Sequence, residues 1–98
     1  MEDLTYEHEA LSSAEAMLRL LNNADFNKIF VKDFLEESLV TLGYNFASNV
    51  NMRTQIAEQI VARKHLRDFI DSIVTEGSLC KDRIEMVQSE YEQGDTND

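Results

Sequence analysis

The stretch "IVTEGSLC", residues 73–80, decides the fold, because a helix either ends at Gly77 or runs through it. Apolar or small residues recur around it at Leu66, Ile70, Ile73, Gly77, Cys80, Ile84, Val87 and Tyr91. The steps alternate four and three, the spacing of one helical face. A chain that turned back at Gly77 would have no reason to keep its apolar positions in phase across the turn. The spacing therefore predicts one continuous helix from about 52 to 91, with a glycine stop and a short final helix from Ser78 as the alternative.

A helix of that length would be about 60 Å long at 1.5 Å per residue. The other helices look too short to cover it, so its distal half is expected to need another chain. Glycine costs roughly 1 kcal/mol inside a helix relative to alanine, and its place on the seam is better explained by close approach of a second backbone. The expected contact surface for a protein partner or a second copy is Ile70, Ile73, Gly77, Cys80, Ile84, Val87 and Tyr91.

Outward from this seam, the 98-residue chain contains no proline and three glycines, and helix-favouring residues dominate it. It reads as all-α: a small bundle of three main helices with a short extra helix, the last helix long and projecting. Residues 1–92 are taken as a single helical domain and 93–98 as an acidic disordered tail.

Thr5 is the expected cap of the first helix, whose face would be Leu11, Ala14, Leu18 and Leu21; Ser12 with Glu15 offers a later start. Asn22 and Asn23 end it. Phe26, Ile29 and Phe30 mark a short amphipathic segment. Asp33, three residues before Glu36, predicts a fresh helix start and a kink near Lys32 and Asp33. Gly43 is placed to end that helix in a left-handed conformation. "YNFASNVN", residues 44–51, then reads as a loop that tucks in Tyr44 and Phe46, and Asn51 as the cap of the long helix.

The net charge of −10 is carried by the two ends of the chain, while residues 16–81 are neutral. An acidic field repels nucleic acid, so direct phosphate binding is not expected. The one basic cluster, Arg63, Lys64, His65 and Arg67, alternates with Asp68 and Asp71, and ion pairing within the helix is the simpler account of it. The acidic ends read as solvated surface; the sharper reading is mimicry of nucleic-acid charge. No apolar run is long enough to cross a bilayer, and the acidic N-terminus is unlike a signal peptide, so the reading is a protein off the membrane and unsecreted. A lone Cys80 fits a reducing compartment.

Residues that could carry chemistry are sparse. His65 with Asp68 and Asp71 could begin a metal site, but no further ligand completes it. Glu36 and Glu37 are adjacent and point about 100° apart on a helix, unsuited to a carboxylate pair. Cys80 lies on the apolar seam without a histidine to activate it, and His8 sits near an acidic helix start. There is no phosphate-cradling glycine loop, Cys-X-X-Cys pair or nucleophile elbow. The expectation is a non-enzymatic protein with no metal or cofactor.

The run "LLNNADFNKIFVKDFLEESLVTL", residues 20–42, resembles a family of small helical proteins of tailed bacteriophages. The matching residues are Leu20, Leu21, Asn23, Asp25, Phe26, Ile29, Phe34, Glu36 and Glu37, then Leu66, Ile73 and Gly77, across most of residues 18–80. Lys32 or Asp33 stands where the pattern has a glycine, and the middle loop lacks the pattern's proline. The resemblance implies a phage origin, a place in the host cytoplasm or virion, and a role in the virion or its assembly. It brings no catalytic or binding residues. The alternative from a different class is an acidic inhibitor of a host nucleic-acid-binding enzyme.

Overall fold

A computed structural model describes residues 3–96, and side chains as far as residue 92. The protein is all-α. Its elements are α1 (Thr5–Asn22), the single turn α2 (Ala24–Phe26), a π-helix (Asn27–Glu37), α3 (Ser38–Ser48), a 3₁₀ turn (Val50–Met52) and α4 (Arg53–Thr96). Helix α4 is 44 residues long and passes through Gly77 without a break, as the apolar phase predicts. It also takes in residues 93–96 of the expected tail; Asn97 and Asp98 lie outside the described residues.

Where the helices begin follows from which side chain can reach the free N–H groups of the first turn. Asp3, not Thr5, caps α1: its Oδ1 accepts from the Thr5 backbone N–H at 2.9 Å and from the Thr5 hydroxyl at 2.6 Å. These bonds hold the Asp3 carboxyl below the usual carboxylate range. Asn23 ends one helix and starts the next, its Oδ1 accepting from the Phe26 backbone N–H at 2.9 Å.

The expected fresh helix start at Asp33 is absent, because the π-helix runs through Lys32 and Asp33. The half-buried or buried residues here are Phe26, Asn27, Val31, Phe34 and Leu35, and among them Phe26, Val31 and Leu35 are spaced five and four apart, a longer period than the 3.6 of an α-helix. A helix with i→i+5 bonding keeps these three on one side, and the Ser38 backbone N–H donates to the Asp33 carbonyl in that pattern. Gly43 does not end α3 either. No glycine has a positive φ, and α3 continues to Ser48, so most of the expected loop is helix. Asn49 is the break, and α4 begins at Arg53 after the 3₁₀ turn, two residues beyond the expected cap Asn51.

The contacts group the residues into two compact units, where the sequence reading takes 1–92 together. One is terminal, Met1–Leu18 with Ser72–Asp98, and the other is central, Arg19–Asp71. The central unit buries Leu35, Leu42, Ile56 and Ile70, with Phe34, Leu39, Ile60 and Leu66 half-buried around them. Arg63 ties its elements together. The guanidinium lies 4.3 Å from the Phe34 ring centroid, and its Nε donates to the Ser38 hydroxyl at 2.7 Å. Ser38 in turn donates to the Phe34 carbonyl, and Arg63 also donates to the Gln59 carbonyl. Arg63→Lys keeps the charge but loses the planar fork that stacks and bonds together. It is expected to destabilise the protein by about 1 kcal/mol, measurable by urea denaturation, with Arg63→Ala costing more.

The terminal unit pairs α1 with the distal part of α4. It buries Ala14, Gly77, Cys80 and Ile84, with Ala10, Met17, Ile73 and Val87 half-buried. Of the expected face of α1, Ala14 is buried and Leu11 and Leu21 are half-buried, while Leu18 is exposed; Glu7, Ala10 and Met17 are further covered positions beside Ala14. A Cβ added at Gly77 would lie 2.0 Å from the Ala14 Cβ and 3.3 Å from the Ala10 carbonyl oxygen, so only small residues fit here.

Candidate interaction surface

The close backbone approach expected at Gly77 is present, but the second backbone is the chain's own α1. This corrects the premise that the distal seam needs another chain. Ile70 is buried in the central unit; Gly77, Cys80 and Ile84 are buried in the terminal unit, where Ile73 and Val87 are half-buried. Of the seven seam residues, Tyr91 alone is exposed. The seam is interior, and a surface for partners has to be sought elsewhere.

Polar groups line the edge of the same helix pair. The Tyr6 hydroxyl donates to Glu76 Oε1 at 2.9 Å, and the Cys80 thiol contacts that oxygen at 3.6 Å. Arg83 Nε lies 3.2 Å from Glu7 Oε1, whose side chain is only 12 % exposed, while Glu7 Oε2 is shut off from solvent without a donor. Burial, then the nearby Glu76 carboxylate, push the Cys80 thiol up, so it stays protonated and unreactive at neutral pH. The bond to Glu76 raises Tyr6 above the ordinary tyrosine value. A pKa raised on folding adds stability that is complete below the unfolded value near 10 and is lost as pH rises through the folded value. Ultraviolet titration should therefore show Tyr6 ionising later than a free tyrosine, and Glu76→Gln, which removes the charge but keeps an acceptor oxygen, should shorten that lag.

Beside these groups runs a shallow groove of about 460 Å³ lined by Tyr6, Glu7, Glu76, Leu79, Cys80, Asp82, Arg83 and Met86. Tyr6, Leu79 and Met86 are 62 %, 60 % and 57 % exposed. Leu79 and Met86 stand seven apart, so they share a face of α4 distinct from the buried seam. Charge is divided as sharply as packing. The terminal unit holds twelve acidic and two basic residues, and with them the whole net charge of −10, whereas the central unit holds seven of each. The central unit displays its own apolar residues, among them Val40 and Tyr44 one turn apart on α3; Tyr44 is 76 % exposed instead of tucked in. Phe46, also expected to be covered, lies at the surface under the Arg53 guanidinium.

The basic cluster is engaged within the central unit. Lys64 pairs with Asp68 at 2.6 Å, Arg67 approaches Glu36 at 4.0 Å, and Arg63 makes the contacts described above. His8 and His65 are exposed. Among the described residues no group of His, Cys, Asp and Glu is placed to hold a metal ion, and no helix is long and apolar enough to cross a membrane.

The sequence reading missed Leu79, Met86, Val40 and Tyr44. Their signal was apolar residues out of phase with the core stripe of their own helices. Compared with family models, curated proteins and solved structures, the chain matches none.

Proposed function

We propose that the chain is a non-enzymatic helical interaction protein, an accessory of a tailed-bacteriophage virion or of its assembly, that works by binding a larger component or a second copy of itself. The phage setting rests on the resemblance of residues 18–80. The observation that carries the interaction reading is the apolar surface. Among the described residues, large apolar side chains left exposed outnumber those buried, and several share a face: Val40 with Tyr44, and Leu79 with Met86. Exposed apolar side chains paired on one helix face offer the kind of surface through which chains associate.

Two measurements test it. Sedimentation at micromolar concentration should show self-association, or a tagged copy in infected cells should co-sediment with head, tail or assembly particles. A clean monomer in the first removes the self-association arm, and absence from particles removes the virion arm; both together overturn the proposal. A second reading, an acidic inhibitor of a host nucleic-acid-binding enzyme, is favoured by one observation, the confinement of the net charge to a single unit. It predicts binding to a basic host enzyme that weakens steeply with salt and competes with DNA.

A further inference from the structure

We infer that the groove between α1 and α4 in the terminal unit is a docking site for a basic amphipathic helix of a partner protein. The inference rests on the reading of this chain as an interaction protein and specifies one site and one class of occupant. Three large apolar side chains, Tyr6, Leu79 and Met86, line the groove and remain more than half exposed. On α4 the spacing of seven between Leu79 and Met86 matches two turns of a helix laid alongside, whose apolar anchors recur at i, i+3 or i+4, and i+7.

The rim selects the sign of the occupant. Glu76 and Asp82 line the groove, and Arg83, the one base there, faces Glu7. The unit around it carries −10. A second copy is a poor occupant, because two such units brought face to face repel each other. Nucleic acid and anionic membrane surfaces are repelled for the same reason. A helix with leucine-type anchors and flanking lysines or arginines meets both features at once: its anchors cover Tyr6, Leu79 and Met86 while its cations approach Glu76 and Asp82.

The test uses a synthetic Leu/Lys amphipathic peptide of about 18 residues, long enough to form a helix on the surface. It is compared with one version carrying Glu for Lys and another carrying Ser for Leu, with the full chain as target and fluorescence anisotropy as readout. The Leu/Lys peptide should bind, and each altered peptide should bind at least about tenfold more weakly. Leu79→Ser with Met86→Ser should weaken the Leu/Lys peptide by a similar factor, and Val40→Ser with Tyr44→Ser should leave it unchanged. Circular dichroism melting confirms that each variant is folded, and chemical-shift mapping on the wild-type chain gives a readout free of substitutions: the shifts should centre on residues 6, 79 and 86. Overturning results are no binding by the wild-type chain, unchanged binding by the Leu79/Met86 variant, equal binding of the Ser-for-Leu peptide, or shifts spread over the acidic surface. Any of these removes the groove while leaving the sedimentation and particle results to decide the broader function.

Discussion

Gly77→Ala should lower the stability of the protein, although alanine is the better helix former by roughly 1 kcal/mol. The new methyl would lie 2.0 Å from the Ala14 Cβ, with Ala10 and Ala14 backbone atoms at 3.3 and 3.5 Å behind it. The obstacle is a short side chain fixed to helix backbone, so relief requires the two helices to move apart. Overpacking of this kind costs about 1–3 kcal/mol, and at the upper end the net loss is about 2 kcal/mol. In a domain of this size that is a fall in Tm on the order of 10 °C. Two companions make the test sharp. Gly77→Ala combined with Ala14→Gly moves the methyl from one helix to the other and should return the Tm close to wild type. Gly43→Ala, on open α3 with nothing within 4 Å, should raise stability by about 1 kcal/mol. A Gly77→Ala protein as stable as wild type would mean that α1 does not pack there in solution.

Ile84→Asp separates an interior seam from an exposed one. Were the seam an interface between chains, the substitution would dissociate the chains and leave the fold of each intact. Ile84 is 6 % exposed within the single chain, among Ala14, Gly77 and Cys80 in the same unit's core. An unpaired carboxylate there loses its hydration as well as the packing of the isoleucine, a loss of about 3–5 kcal/mol, which is a large share of the stability of a domain this small. The expected result is a drop in helicity or a melting transition shifted down by more than about 15 °C, independent of protein concentration. Acidifying until the introduced carboxyl is protonated should recover part of the loss, since desolvation penalises the charged form. Unaltered melting would overturn the buried placement.

The long helix was legible in the sequence because its apolar phase survives Gly77, and a turn would not preserve it. The glycine itself was legible as a point of close approach. What the residues did not reveal is which backbone approaches: Ala14 was legible as part of the apolar face of α1, but nothing in its spacing ties it to Gly77, and Ala10 stands outside that stripe. At the glycine contact itself the usual guide inverts, since the residues nearest Gly77 are the small Ala10 and Ala14. The π-helix was hidden for another reason. Asp33 and Glu36 satisfy a capping pattern by type and spacing, yet the helix continues through them with the longer period that keeps Phe26, Val31 and Leu35 on one side. Gly43 misled similarly, since a glycine after a leucine-rich face is a good stop only if the chain has reason to turn. Leu79 and Met86 were overlooked because the stripe that fixed the fold drew attention to the opposite phase of the same helix.

The terminal unit is assembled from the first eighteen residues and the last twenty-seven, with the central unit's sequence between them. On the ribosome, α1 therefore emerges long before the strip of α4 that covers Ala10 and Ala14 has been translated. The central unit is built from one continuous stretch, residues 19–71, and can condense from near neighbours, whereas the terminal pair must close a loop of that length between its two segments. Maturation should proceed from the middle outward. Nascent chains arrested before residue 84 would then present an unsheathed N-terminal helix, a window in which chaperones or proteases can distinguish an unfinished copy from a finished one.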